Sequence, residues 1–189
     1  MTKYPKSLVF VLGLVLVIGS ACQAQGFTQW ATQAQASSSL YHDPDRYSPS
    51  KMLGRPDVYP EHKDAHDAWC PEYPDSWWVW LTLGYSEAVI AEKIEVYETF
   101  NPGAISQVHL IDEYGLLHPV WQGEAGPKGE QARIFTVHNI QVDVPVTGIL
   151  LTLQPDQVPG WNQIDAVSLT GRAPGAQAAH YLGQWAVDA

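Results

Sequence analysis

Cysteine is nearly absent: the 189 residues contain two, Cys22 and Cys70. A chain this poor in thiols has no disulfide framework, so its stability must come from a packed core. Basic residues are scarce as well, 10 Lys and Arg against 20 Asp and Glu. That balance argues against nucleic acid or anionic membrane surfaces as partners and leaves carboxylates for divalent cations. No segment keeps a 3.6-residue hydrophobic period, and no internal repeat is evident. A Gly-x-Ser-x-Gly elbow is missing, and Cys70 lacks the surroundings of any known cysteine nucleophile motif, so there is little for catalysis to use.

What is present begins with an export signal. Lys3 and Lys6 precede an uncharged apolar run over residues 8–18, followed by small residues at 19–21. This is the order of a secretory signal, and the run falls short of the ~20 residues a transmembrane helix needs. Two processing routes are open. Cleavage after Ala24 makes 1–24 a signal peptide and frees a soluble chain. Alternatively, Gly19-Ser20-Ala21-Cys22 resembles a bacterial lipobox, with 1–21 removed and Cys22 lipidated, although Gly19 stands where that motif carries Leu, Val or Ile. Either route places the protein outside the cell or in the cell envelope. It also leaves Cys70 unpaired, and a buried, inert thiol is the expected fate. Without Lys3 and Lys6 the chain carries 8 basic against 20 acidic residues, a formal charge of −12.

Residues 25–35 read as a lead-in, and the Ala-, Gln- and Ser-rich stretch 29–39 has the character of a short edge strand. Residues 40–77, dense in Pro, Asp, Tyr and His, read as long loops, with at most a turn or two of helix near 48–53. Strand patterns follow at 79–83, 93–97, 107–111, 119–122, 133–137, 140–144, 148–153 and 164–169, with turn chemistry between them. Val79, Leu81 and Leu83 share one face, as do Ile94 and Val96. Such a series predicts an all-β antiparallel sandwich. The tail 172–189 reads as an extension.

Several stretches carry a resemblance. In order they are Ser37-Ser38-Ser39, residues 47–60 with Leu53-Gly54-Arg55-Pro56-Asp57, Ala68-Trp69-Cys70-Pro71, and Trp80-Leu81-Thr82-Leu83-Gly84-Tyr85. Residues 94–104 with Asn101-Pro102-Gly103 follow, then Val120-Trp121-Gln122-Gly123 and Trp161-Asn162-Gln163-Ile164-Asp165. Together they resemble the discoidin-like, coagulation factor 5/8 type C group of the galactose-binding-like fold. The variant most similar is the one found in an F-box leucine-rich-repeat protein and in bacterial exported proteins. The resemblance covers 36–171 and implies a jelly-roll β-sandwich whose end loops bind ligands without catalysis. It further implies that Trp80, Trp121 and Trp161, which fall in recurring family words, are core fillers.

Many members of that group hold a structural Ca²⁺, for which the resemblance nominates Asp57 and Asp165. The alternative is that Asp57 caps a turn and Asp165 accepts backbone hydrogen bonds. Tyr59, His62, Trp77 and Trp78 are the candidates for ligand contact, because aromatic rings stack on sugar C–H faces. His62 and His66 have the spacing of a zinc pair on a helix, but Pro60 favours a solvated loop. Glu95 and Glu98 read as solvated strand residues rather than a glycosidase pair. The expectation is a non-enzymatic recognition module for a glycan or polysaccharide. The other reading is a structural or adhesion protein that binds a cell-envelope protein.

Overall fold

A computed structural model describes residues 26–40 and 45–175. The signal segment with Cys22, and most of the tail, lie outside these residues. Eight strands form the fold: β1 (Phe27–Trp30), β2 (Gln33–Ala36), β3 (Val79–Phe100), β4 (Ile105–Asp112), β5 (Leu117–Gln122), β6 (Arg133–Val137), β7 (Val146–Leu153) and β8 (Gln163–Arg172). All pairings are antiparallel.

The strands expected at 79–83 and 93–97 are two halves of one strand, β3. Its first half pairs with β2 and β7, its second with β8 and β6. The register shifts between Gly84 and Val89, where the strand leaves one sheet and enters the other. One layer is therefore ordered β2-β3-β7-β4-β5 and the other β1-β8-β3-β6. Gly171 accommodates this crossing. A Cβ there would stand 2.5 Å from the Ile90 carbonyl and 2.8 Å from Val89 Cγ2.

The period-2 pattern fills the space between the layers. Val79, Leu81, Leu83, Ile94 and Val96 are buried, and they meet Ile149, Leu151, Leu153, Val108, Leu110, Val167 and Leu169. Alternation on a pleated strand requires this segregation, and burial of such side chains is the main favourable term in folding.

Three expectations change. The lead-in supplies β1 and β2, so the sandwich begins before residue 36. Residues 140–144 are not a strand: Asn139 takes a positive φ of 55° and Pro145 has no N–H, so no ladder forms there. Ile140 and Val142 still pack on the core, from a loop. The helical turn near 48–53 is a single 3-10 turn, Pro49–Met52, whose Met52 is buried.

Candidate functional site

The closing strand organises the loop that precedes β3. The Asp165 carboxylate, 2 % exposed, accepts the backbone N–H groups of Asp57 at 3.3 Å, Val58 at 3.1 Å and Tyr59 at 2.8 Å. Two residues earlier, Gln163 Oε1 accepts the Ala65 N–H at 2.9 Å and its Nε2 donates to Asp64 at 2.6 Å. Between them, Ile164 exchanges both backbone hydrogen bonds with Trp69. Three consecutive residues of β8 thus fasten residues 57–69. Trp69 completes the attachment: fully buried, it donates its indole N–H to Ser39 Oγ at 3.0 Å.

This geometry supports the second reading of Asp165, an acceptor of backbone hydrogen bonds. A carboxylate facing three N–H donors is an anion in a nest of positive dipole ends, and those donors turn a cation away. Calcium requires six to eight oxygens. Among the described residues no group of three or more His, Cys, Asp or Glu side chains could hold a metal. As they stand, Asp57 and Asp165 do not fit a Ca²⁺ site. His62 and His66 are not brought together either: His62 stacks on Phe100 with ring centroids 5.3 Å apart, and His66 Nδ1 lies 3.2 Å from Asp67.

Of the aromatic candidates, Tyr59 is half-buried edge-on against Tyr97, at 5.3 Å between centroids. Tyr59 and His62 therefore share one packed row on the β1-β8-β3-β6 layer. Trp77 and Trp78 are different: they are 75 % and 52 % exposed at the entry to β3. Trp80 joins them at 45 %, which corrects its assignment to the core. It lies out of phase with Val79, Leu81 and Leu83, so the pleat sends it to the outer face. Trp161 is also 38 % exposed, because it precedes β8 on the Pro159-Gly160 turn, where Gly160 has φ +88°. Trp121 packs edge-on against Phe135 at the margin of the core.

Trp78 borders two adjoining hollows. One, about 290 Å³, is polar and lined by Gln107, Gln122, Glu124, Gln154 and Gln157. The other, about 490 Å³, runs along the outer sheet face past Trp80, Thr82, Leu150 and Thr152. The side-chain amides of Gln107, Gln122 and Gln154 have no hydrogen-bond partner among the described residues. An aromatic face beside unspent amide donors and acceptors is suited to a polyhydroxylated ligand. Of this group only Trp78 is among the sequence candidates; Trp77 precedes it but lines neither hollow. Trp80 was signalled by its phase in β3, whereas the glutamines converge only through cross-strand register.

The remaining ionisable groups have structural roles. Glu98 is buried, not solvated, because a register shift beside Tyr97 turns it inward. It accepts from Gly103 N–H at 2.7 Å and Arg133 Nε at 2.6 Å. Burial pushes its pKa up, and Arg133 partly opposes this. Asp112 closes the β4–β5 turn through the N–H groups of Tyr114 and Leu116, and His118 beside it, 2.9 Å away, holds its carboxyl below the usual range. Burial raises the Cys70 thiol far above its ordinary value, as expected for an inert cysteine.

Residues 20–180 match the family model described as "Pappalysin-1, SD scarf domain, C-terminal". No curated protein matches the sequence. Several solved structures are similar. The family 32 CBM from C. perfringens NanJ, in complex with galactose, is 17 % identical with a TM-score of 0.53, covering 76 % of this chain and 99 % of its own. The lectin domain of lectinolysin, complexed with Lewis B antigen, is 13 % identical at 0.52, covering 75 % and 93 %. A chitosan-binding module of a Paenibacillus chitosanase/glucanase is 8 % identical at 0.54, covering 74 % and 93 %. These likenesses establish the fold, a galactose-binding-like β-sandwich.

Proposed function

The chain belongs to the family of the pappalysin-1 C-terminal SD scarf domain, and from that premise we propose that it is a non-catalytic module that binds glycans. The observation that carries this reading is the hollow beside Trp78, where an exposed indole meets Gln107, Gln122, Gln154 and Glu124. Indole stacks on the C–H face of a pyranose, and amides and a carboxylate take its hydroxyls in paired hydrogen bonds. Proteins of the same fold were solved with galactose, Lewis B antigen and 4,5-unsaturated mannuronic acid, which supports sugar as the ligand class. Export by residues 1–24, or anchorage through Cys22, is part of the proposal; mass spectrometry of the mature N-terminus distinguishes the two.

The test is a glycan array with the purified chain, followed by Trp77→Ala and Trp78→Ala. Binding that falls roughly tenfold with Trp78→Ala, about 1.4 kcal/mol, supports the reading. The absence of binding to any glycan, with stable self-association instead, overturns it in favour of an adhesive protein.

A further inference from the structure

We infer that the ligand is an extended, uncharged polysaccharide chain that lies across the strands of the β2-β3-β7-β4-β5 layer, an inference that rests on the glycan reading above. Cross-strand register sets out the track. Trp80 pairs with Thr152, Thr152 with Gln107, and Gln107 with Gln122, so these four side chains form one row over β3, β7, β4 and β5. The next row is Gln35, Thr82, Leu150 and His109. Leu81, Leu151 and Val108, the neighbours of the first row along β3, β7 and β4, are buried on the opposite face, so the row faces outward there.

Neighbouring strands lie about 4.8 Å apart, close to the length of one pyranose unit in an extended chain. A polysaccharide running perpendicular to the strands would therefore offer each strand one sugar. The apolar hollow along Trp80 and the polar hollow at Gln107 and Gln122 both border Trp78, which stands between the two parts of the track. An end-on pocket for a single sugar would not need this length.

The track also has no net preference for charge of either sign except through one residue. Neither row contains Asp, Glu, Lys or Arg, and among the described residues Glu124 is the sole ionisable group lining the two hollows. The outer face of the other layer, by contrast, carries the Lys93–Glu95 ion pair at 2.9 Å. In a chain of formal charge −10, with neither Lys nor Arg on the track among the described residues and His109 its one imidazole, a uronate or sulfate ester meets Glu124 without a permanent cation to offset it. Hydroxyl-bearing neutral sugars match the free amides.

The experiment is calorimetric titration with cello-, manno- and N-acetylchito-oligosaccharides from monomer to hexamer, with alginate oligomers as the acidic series. Affinity in a neutral series should rise with length over the first three or four units. Trp80→Ala should weaken hexamer binding roughly tenfold and leave monomer binding within about twofold, whereas Gln107→Ala, in the hollow beside Trp78, should weaken monomer and hexamer alike. Melting curves and the conservative Trp80→Phe variant, expected to retain most of the binding, separate lost contact from lost fold. A monomer bound as tightly as the hexamer, or hexamer binding indifferent to Trp80→Ala, overturns the track while leaving glycan recognition intact. Alginate bound as tightly as the neutral series overturns the uncharged ligand. No binding in either series, together with an empty array, overturns the glycan reading itself.

Discussion

Asp165 holds three backbone N–H groups with one carboxylate, so its removal orphans all of them at once. Asp165→Ala should lower stability by about 3 kcal/mol, since a buried unsatisfied donor costs about 1–3 kcal/mol and relaxation offsets part of the sum. Thermal melting measures this, and adding a chelator to the unaltered protein should leave its transition in place. The acidic groups also predict two opposite pH dependences. Burial raises the carboxyls of Glu98 and Asp165, so folding favours their protonated forms. That contribution is full below their unfolded values of about 4 and is lost as pH rises through the raised ones. The Asp112 carboxyl is lowered by His118 and the turn N–H groups. Its contribution is full above about 4 and is lost as pH falls through the lowered value. Melts of Asp112→Asn should therefore fall beneath those of the unaltered protein above about pH 4 and converge on them only as pH drops through the lowered value.

At the scale of elements, the long loop before β3 behaves as part of the sandwich because β8 fastens it. Hydrogen exchange should show the amides of Val58, Tyr59, Ala65 and Trp69 protected well beyond an ordinary surface loop, and Gln163→Ala should release Ala65 first. Gly171→Ala should destabilise by about 1–3 kcal/mol, because its Cβ meets backbone at the bend of β3. The strands themselves were legible from alternation, and most of the predicted ones are present. The union of 79–83 with 93–97 was not, because a strand that crosses between layers carries turn-like residues at its bend. The loop attachment was half legible. Asp165 and Asp57 were paired correctly as neighbours, but charge alone does not distinguish a metal ligand from an acceptor of N–H groups. Family resemblance sets Trp80 in the core, but its phase opposite the buried Val79 and Leu81 sends it to the outer face.

For the whole molecule, the division of labour is between two faces. The β1-β8-β3-β6 layer is covered at one end by the fastened loop, with Tyr59 and His62 packed against Tyr97 and Phe100. The other layer leaves Trp78, Trp80 and the glutamines open. Composition revealed the surplus of tryptophan but not which rings reach solvent, since that depends on register between strands distant in sequence. The most direct measurement is a two-dimensional ¹⁵N–¹H NMR titration with the tightest glycan from the array, following indole and side-chain amide signals. The account predicts shifts concentrated at the Trp78 indole and the amides of Gln107, Gln122 and Gln154. Shifts confined to the loop around Tyr59 and His62, or to the hollow at Asn101 and Pro159, would contradict it.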